Sequence, residues 1–346
     1  MEKHSSTPVR KKKRRPGVGS RILFSVALTV VIVICATAAI YVGFHPPRHQ
    51  AELAGKDADV NQITQPVQSE EEPEPEEPQK NLYDGPYPEL VSESYETEKV
   101  APETEKSKIC YLTFDDGPSQ NTVSILDTLK QYNAKATFFI VGSEIEGHED
   151  IIKRMAEEGH TVAIHCNRHE YGDLYSSVDG FLKDFNTIYN RLYELTGQYP
   201  QCFRFPGGSN NAIAERHNTT QEIIDEMTAR GFDYYDWNAY TGDAESGSSA
   251  ARVYSKAVSE ITGSARDEVI LLAHDAAAKK DTANQLPKIL EALKDEVEFL
   301  PITTSTKPIQ FVKPTETIER EQAEEEQEQQ SQQSANTPED SESDTE

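Results

Sequence analysis

Between residues 108 and 308, short apolar runs alternate with longer amphipathic stretches, and this alternation limits the fold more than any other feature. The apolar runs have the length of buried strands. They cover residues 109–114, 136–141, 161–164, 202–205, 234–237, 269–273 and 297–302. The helices predicted between them begin near Asn121, Glu149, Val178, Thr220, Ser249 and Asn284. Strands that alternate with helices form βαβ units, so the sequence predicts an α/β fold with a mainly parallel sheet.

The number of units narrows the architecture further. Seven of them fit a closed or nearly closed β/α barrel better than a nucleotide-binding fold, because no Gly-rich phosphate loop follows any predicted strand. In such a barrel, active residues gather at the carboxyl ends of the strands. These ends are therefore where a functional site is expected.

Charge is distributed unevenly along the chain. The formal net charge is -26, although the first fifteen residues are basic. Contacts to nucleic-acid phosphates need Lys and Arg, so an acidic chain is a poor candidate for this kind of partner. We predict that the protein binds no nucleic acid.

An apolar segment without charge covers residues 22–44 and is long enough to cross a bilayer as a helix. Basic residues precede it, so the positive-inside rule places residues 1–21 in the cytoplasm and the rest of the chain outside. The sequence thus predicts a single-pass transmembrane anchor in the cell membrane with an extracellular catalytic domain. A cleaved signal peptide is the alternative interpretation.

Two acidic segments flank the predicted domain. Residues 45–107 are rich in Glu and Pro and are interpreted as a disordered extracellular linker. Residues 309–346, rich in Glu, Gln and Ser, are interpreted as a disordered acidic tail. The domain between them, 108–308, has three cysteines, and an odd number argues against a disulfide scaffold, although one bridge between Cys110 and Cys202 stays open.

Ionisable side chains recur at the ends of the predicted strands. They are Asp115, Asp116, His165, His169, Arg204, Asp243 and His274. Taken alone, residues 115–118 would also make a good turn. His165 and His169, however, are spaced i, i+4, which can place two imidazoles on one metal ion. With an aspartate from another strand end, they predict a metal site of two histidines and one carboxylate with open positions for water and substrate.

This combination resembles the polysaccharide deacetylase family, the NodB-homology domains of carbohydrate esterase family 4. The resemblance spans residues 108–302, and the Thr-Phe-Asp-Asp-Gly-Pro run at 113–118 is its most specific motif. His-x-x-x-His at 165–169, Arg-x-Pro at 204–206 and Leu-x-His at 272–274 follow in the family's order. The resemblance implies a distorted (β/α)7-type barrel. It also implies a metal-dependent hydrolase that removes N-acetyl groups from a cell-wall polysaccharide, with peptidoglycan N-acetylglucosamine as the expected substrate.

The resemblance also implies a ligand set for the metal. Asp116, His165 and His169 would hold a divalent ion, usually Zn2+, with Co2+ or Mn2+ as alternatives. Cys166 occupies the position where family members usually carry Ser or Thr. It is interpreted as a small loop residue rather than a fourth ligand.

Four residues receive catalytic roles through the same resemblance. Asp115 would be the general base that takes a proton from water, and Arg204 would keep it ionised and oriented. His274 would be the general acid for the leaving amine, and Asp243 would align it. A carboxylate and an imidazolium are suited to these two proton transfers.

Three further residues are expected to contact the substrate. The backbone N–H of Gly207 is a candidate donor to the oxyanion, Leu272 would wall the pocket for the acetyl methyl, and Trp237 would lie in the groove or the core. Here the chain departs from the family, because Gly207 and Gly208 replace an aromatic residue and Ala244 stands where the family has Trp. These departures concern the substrate more than catalysis, because every ionisable role is filled. Two alternatives stay open: an O-deacetylase acting on a surface polysaccharide, whose chemistry uses the same groups, and a catalytically disabled glycan-binding module, which predicts missing ligands or acid-base residues.

Overall fold

The computed structural model describes residues 83–335. The predicted cytoplasmic segment 1–21, the predicted membrane span 22–44, most of the predicted linker and residues 336–346 lie outside the described residues. Within residues 83–335, no helix is both long enough and apolar enough to cross a membrane.

The described part of the chain forms one sheet with helices around it. The strands are β1 (Lys108–Gly117), β2 (Thr137–Val141), β3 (Thr161–Cys166), β4 (Cys202–Phe203), β5 (Asp233–Tyr234), β6 (Ala239–Tyr240), β7 (Glu268–His274) and β8 (Val297–Leu300). The helices are α1 (Gln120–Gln131), α2 (Glu149–Glu157), α3 (Tyr171–Leu174), α4 (Val178–Thr196), α5 (Ala212–His217), α6 (Thr220–Ala229), α7 (Ala250–Gly263), α8 (Lys280–Leu293) and α9 (Thr315–Ala335), with a 3-10 turn at Gly142–Glu144.

The strands pair in the order β5-β4-β3-β2-β1-β7-β6, and β8 pairs with β1. Every pairing is parallel. In the part of the chain that the structure describes, the end strands β5 and β6 do not pair with each other. The α/β class is therefore confirmed, and the predicted barrel takes the form of a curled parallel half-barrel.

Strand β1 shows why this sequence forms a central strand. Its residues are buried on both faces, as is typical of parallel sheets covered by helices. Cys110, Leu112 and Phe114 belong to the large core under the helices, whereas Ile109 and Tyr111 belong to a second core inside the curl of the sheet. Each large apolar side chain buried in this way contributes about 1.5–3 kcal/mol to folding.

Helix α1 fixes the loop that follows β1. Ser119 is its N-cap and forms a capping box with Thr122. Ile125, Leu126 and Leu129 then repeat at helical spacing and are buried against the core. Because the cap lies directly after Pro118, the start of α1 holds the Asp-Asp-Gly-Pro loop in place.

Each of the seven predicted strands overlaps an observed strand. The short strand β6, Ala239–Tyr240, was not predicted because two residues carry no periodic signal. Helix α8 begins at Lys280, four residues before the predicted start near Asn284. The cysteines Cys110, Cys166 and Cys202 are buried and free, so the bridge left open between Cys110 and Cys202 is not formed.

The structure differs from the prediction at the end of the linker. Residues 83–107 were assigned to a disordered segment, yet Leu90 is fully buried and packs in the large core. The hydroxyl of Ser94 donates to Asp233 at 2.7 Å, and Lys99 forms an ion pair with the same carboxylate. The high charge of the whole segment concealed these few anchoring side chains.

The structure also differs from the predicted tail. Residues 309–312 continue along the domain, where the N–H of Phe311 donates to Asp236 Oδ2 at 2.7 Å and the hydroxyl of Tyr234 donates to the carbonyl of Val312. Residues Thr315–Ala335 form helix α9. Glu and Gln are good helix formers, and a composition typical of disorder does not exclude a helix.

Candidate active site

Two strand ends bring the predicted metal ligands together. Asp116 lies near the end of β1, and His165 lies near the end of β3, with His169 in the following loop. One donor atom from each of the three residues lies within 4.8 Å of the other two. Asp116 Oδ1 is 3.5 Å from Nε2 of each histidine. Asp116 adopts a left-handed φ of 72°, a conformation that Asp tolerates better than most residues.

The three side chains fit a metal ion. Asp116 Oδ1 is buried without a hydrogen-bond partner, and such a group is costly unless something satisfies it. His165 Nδ1 is 2.8 Å from the carbonyl oxygen of Arg204, which assigns the proton to Nδ1 and leaves the Nε2 lone pair facing Asp116. Burial lowers the pKa of His165 and favours the neutral ring that a metal needs. Two imidazole nitrogens and one carboxylate oxygen are a donor set that suits zinc.

Asp115 and Arg204 form a buried ion pair beside this cluster. Arg204 Nη1 donates to Asp115 Oδ1 at 2.8 Å and to the hydroxyl of Thr113 at 2.7 Å. Its other nitrogens donate to the carbonyls of Tyr235 at 2.7 Å and Asp236 at 3.1 Å. The guanidinium is therefore held at several points, and it fixes the carboxylate of Asp115 in turn.

His274, at the end of the neighbouring strand β7, forms a second pair with Asp243 in the loop after β6. Asp115 on β1 is in register with His274 on β7, so the two side chains emerge from directly adjacent positions. Asp243 Oδ1 accepts from His274 Nδ1 at 2.8 Å, and its Oδ2 accepts from the His274 backbone N–H at 2.8 Å and from Thr282 at 2.7 Å. These hydrogen bonds fix Asp243 against His274.

The electrostatics of this pair favour a protonated histidine. Burial opposes the charge on His274, but the hydrogen bond and negative charge of Asp243 outweigh it, so the pKa of His274 is raised. Burial alone would raise the pKa of Asp243, and the same hydrogen bond from His274 reverses the sign and lowers it. The pair therefore keeps a proton on His274 to higher pH than a free imidazole would.

The predicted substrate contacts lie around these pairs. Leu272 precedes His274 by two residues on β7, so both side chains point to the same face, and both are partly exposed. Gly207 is exposed, with a left-handed φ of 79°, and within the described residues its N–H has no acceptor. Trp237 is partly buried against the core inside the curl of the sheet.

Two residues near the site were given no role from the sequence. Tyr171 packs edge-on against His169, with ring centroids 5.0 Å apart, and its ring lies 3.1 Å from where a Cβ on Gly207 would be. It occupies part of the space that an aromatic residue after the motif proline would need. No sequence signal identifies Tyr171, because its proximity to Gly207 depends on the loop before α3.

Asp275, directly after His274, is the second such residue, and the charges of Asp115 and Asp116 act on it. It is fully buried and accepts a 2.5 Å hydrogen bond from Thr122, the residue that also closes the cap of α1. Burial, with the charges of Asp116 and Asp115, raises the pKa of Asp275 to about 7. The His-Asp sequence at 274–275 was a signal that could have drawn attention to it.

Cys166 is not part of the metal cluster. It is buried at the end of β3, and burial raises the pKa of its thiol well above the usual value. A neutral thiol is a weak ligand, since the thiolate is the form that binds metals. Cys166 is therefore the last residue of strand β3 rather than the loop residue that the sequence suggested, and it lies outside the ligand cluster, as its interpretation as a non-ligand expected.

Comparisons with known proteins show that the chain is similar to polysaccharide deacetylases. A family model described as polysaccharide deacetylase matches residues 103–233. A peptidoglycan-N-acetylglucosamine deacetylase of Bacillus cereus is 27% identical over 281 residues, which cover 77% of this chain and 88% of that protein. The peptidoglycan-N-acetylglucosamine deacetylase PgdA of Listeria monocytogenes is 31% identical over 248 residues, and the chain covers 48% of its length.

A solved structure extends the similarity to the fold. The catalytic domain of a peptidoglycan N-acetylglucosamine deacetylase from Eubacterium rectale is 33% identical, with a TM-score of 0.58, and the match covers 62% of this chain and 96% of that one. Fold and site together define a hydrolase that removes acetyl groups from a polysaccharide. The chain belongs to the polysaccharide deacetylase family.

Proposed function

We propose that this protein is a metal-dependent N-deacetylase of peptidoglycan, acting on N-acetylglucosamine. The observation that carries the proposal is the arrangement of three units at one edge of the sheet. The cluster of Asp116, His165 and His169 lies beside the buried Asp115–Arg204 pair, and His274 of the Asp243–His274 pair ends the adjacent strand. Relatives named as peptidoglycan-N-acetylglucosamine deacetylases support the choice of substrate.

The cluster would hold one divalent ion, with Zn2+ as the proposed metal. When bound, that ion supplies a Lewis acid that polarises the amide carbonyl and lowers the pKa of water. Asp116 and the two histidines serve only to hold it. The catalytic proton transfers are left to other side chains.

Asp115 is proposed as the general base. Its carboxylate is buried and held by Arg204 at 2.8 Å, so it is aligned before substrate arrives. A fixed carboxylate within reach of the attacking water takes its proton as the carbon–oxygen bond forms. Arg204 is a positioning residue, because it acts on the reaction through Asp115.

His274 is proposed as the general acid. An amide nitrogen is a poor leaving group unless it is protonated, and the raised pKa of His274 keeps its proton to higher pH than an ordinary imidazole would. Asp243 maintains that protonation and fixes the ring through Nδ1, so Nε2 delivers the proton. The free N–H of Gly207 is a donor for the oxyanion that develops on the carbonyl.

The test incubates the purified full chain with N-acetylated peptidoglycan fragments and, separately, with an O-acetylated polysaccharide, each with and without chelator. Released acetate and new primary amines are measured together. We expect equal amounts of both products from peptidoglycan and their loss with chelator. Acetate from the ester alone would instead assign an O-deacetylase, and polymer binding without release or metal would assign a binding module.

We also propose that residues 22–44 anchor the protein in the cell membrane with the domain outside. This segment lies outside the described residues, and the proposal is supported by its apolar composition and the basic residues before it. Fractionation of cells that make the full chain tests it. Retention in the membrane fraction after a salt wash is expected, and release of a shortened chain into the medium would favour a cleaved signal peptide.

A further inference from the structure

A pair of aromatic side chains, one partly buried and one exposed, lies next to the loop that carries Gly207. Trp237 and Phe311 pack edge to face, with ring centroids 5.1 Å apart. Phe311 keeps 41% of its surface exposed, although it is a large apolar side chain. A single exposed apolar side chain is ordinary, but here it extends an aromatic surface that begins at the partly buried Trp237. Phe311 also lies beyond residues 103–233, where the family model matches.

The pair is joined directly to the loop that carries Gly207. The next residue, Gly208, is buried and has a left-handed φ of 85°. A Cβ at Gly208 would lie 3.1 Å from the indole of Trp237, so the absence of a side chain lets the ring approach the loop. Trp237 is also 5.8 Å from the guanidinium of Arg204, which holds Asp115. The aromatic surface therefore borders the proposed catalytic residues.

The buried carboxylate of Asp236 binds both the loop after β4 and the backbone of Phe311. Asp236 accepts hydrogen bonds from the N–H of Ser209 at 2.8 Å, the hydroxyl of Ser209 at 2.6 Å and the N–H of Phe311 at 2.7 Å. The N–H of Val312 donates in turn to the hydroxyl of Ser209 at 3.0 Å. Phe311 is thus tied by its own backbone to the loop after β4, although it is more than a hundred residues away in sequence.

We propose that Trp237 and Phe311 form a sugar-binding subsite for a unit of the glycan next to the one that is deacetylated. The inference rests on the proposed function, because it needs a polysaccharide in the adjacent site. The C–H groups on one face of a pyranose ring are apolar and pack on rigid aromatic rings at little cost in side-chain entropy. A polymer that is bound beyond its reacting unit also positions that unit for the reaction.

This subsite compensates for the departures from the family. The aromatic residue expected after the motif proline is replaced by Gly207, and Ala244 replaces a tryptophan. Phe311 supplies an aromatic surface from the segment after β8. Through this subsite, the segment after β8 makes the protein prefer longer glycan substrates over shorter ones.

The test compares kcat/KM of the full chain on a short and a long N-acetylglucosamine oligomer, and repeats both measurements with Phe311→Ala and Phe311→Leu. Leu keeps an apolar side chain without a flat ring, so it separates stacking from folding. We expect both variants to lower the long-to-short ratio of kcat/KM by about tenfold, and Phe311→Tyr to restore it.

Tyr193→Ala is the matched control, because Tyr193 is 42% exposed on helix α4 and stacks on Tyr199 rather than near the site. Its ratio should equal that of the unmodified chain. An unchanged ratio in a folded Phe311→Leu variant would overturn the subsite. If the unmodified chain released no acetate from either oligomer, the proposed function itself would fail.

Discussion

Two arginines in this protein are almost completely buried, and they serve different purposes. Arg204 and Arg230 are 0% and 2% exposed. Each meets several oxygen acceptors and lies over an aromatic ring, Phe139 at 4.2 Å for Arg204 and Tyr83 at 4.1 Å for Arg230. Burial and the number of hydrogen bonds therefore do not distinguish Arg204 from Arg230.

The two arginines differ in the groups that they bind. Arg230 donates to the carbonyls of Pro86 at 2.7 Å and Tyr87 at 3.0 Å, and it pairs with the partly exposed Glu226. Its charge therefore holds the segment before β1 against the domain. Arg204 instead binds Asp115, a buried carboxylate beside the metal cluster. A buried charge that orients a second buried charge beside a candidate metal site indicates function, whereas a buried charge that binds mainly backbone carbonyls indicates a structural role.

The largest effect should follow from removing the charge that Arg204 orients. Asp115→Asn keeps the size of the side chain but cannot accept a proton, so turnover should fall by about a thousandfold. Acetate release measures turnover, and bound metal is measured on the same sample. Near-normal turnover in this variant would show that Asp115 is not the base.

The next largest effect is expected at Arg204 itself. Arg204→Lys keeps the charge but has a single nitrogen in place of a planar fork, so it cannot bind Asp115, Tyr235 and Asp236 together. We expect turnover to fall by about a hundredfold while bound metal is retained. Equal losses of metal and turnover would indicate that Arg204 acts by holding the ligand His165 rather than Asp115.

Arg230 should respond in the opposite way. Arg230→Met removes the donors for several buried carbonyls and should lower the free energy of unfolding by about 2–4 kcal/mol. Denaturant unfolding measures the loss. Turnover of the folded fraction should stay close to that of the unmodified chain, and a selective loss of turnover would contradict the distinction between the two arginines.

The smallest effect concerns the pH dependence set by Asp243. The pKa of His274 is higher in the folded protein than in the unfolded chain. The stability contributed by its protonated form is therefore fully present below the pKa of the unfolded state, and it is lost as the pH rises through the pKa of the folded state. Asp243→Asn removes the carboxylate that raises this pKa. The alkaline limb of the kcat/KM profile should move to lower pH, with a several-fold loss of activity above neutrality. An unmoved alkaline limb would assign it to another group.

The residues of the candidate site can be read from short sequence motifs, whereas the contacts that fix the limits of the domain cannot. Asp115, Asp116, His165 and His169 lie in short motifs at strand ends, and a parallel sheet necessarily brings these ends to one edge. His274 ends a predicted strand in the same way. Asp243 follows the short strand β6, which has no periodic signal, so the resemblance to the family rather than an apolar pattern points to it.

What the sequence did not predict depends on contacts between distant segments. Arg230 donates a hydrogen bond to the carbonyl of Leu90, which is more than a hundred residues away in sequence. Neither residue lies in a periodic pattern that would predict this contact. Phe311 was included in an acidic tail because the residues after it are Glu, Gln and Ser. Average composition describes such segments well and does not reveal a single anchoring side chain.

The most direct test of the account is a zinc titration of the chelated full chain, with bound zinc and acetate release from peptidoglycan fragments measured at each step. Activity should rise in proportion to bound zinc and saturate at one ion per chain, and Asp116→Ala should neither bind the ion tightly nor recover activity. Full activity in the chelated chain, or normal zinc binding and turnover in Asp116→Ala, would contradict the assignment of Asp116, His165 and His169 as the catalytic metal site.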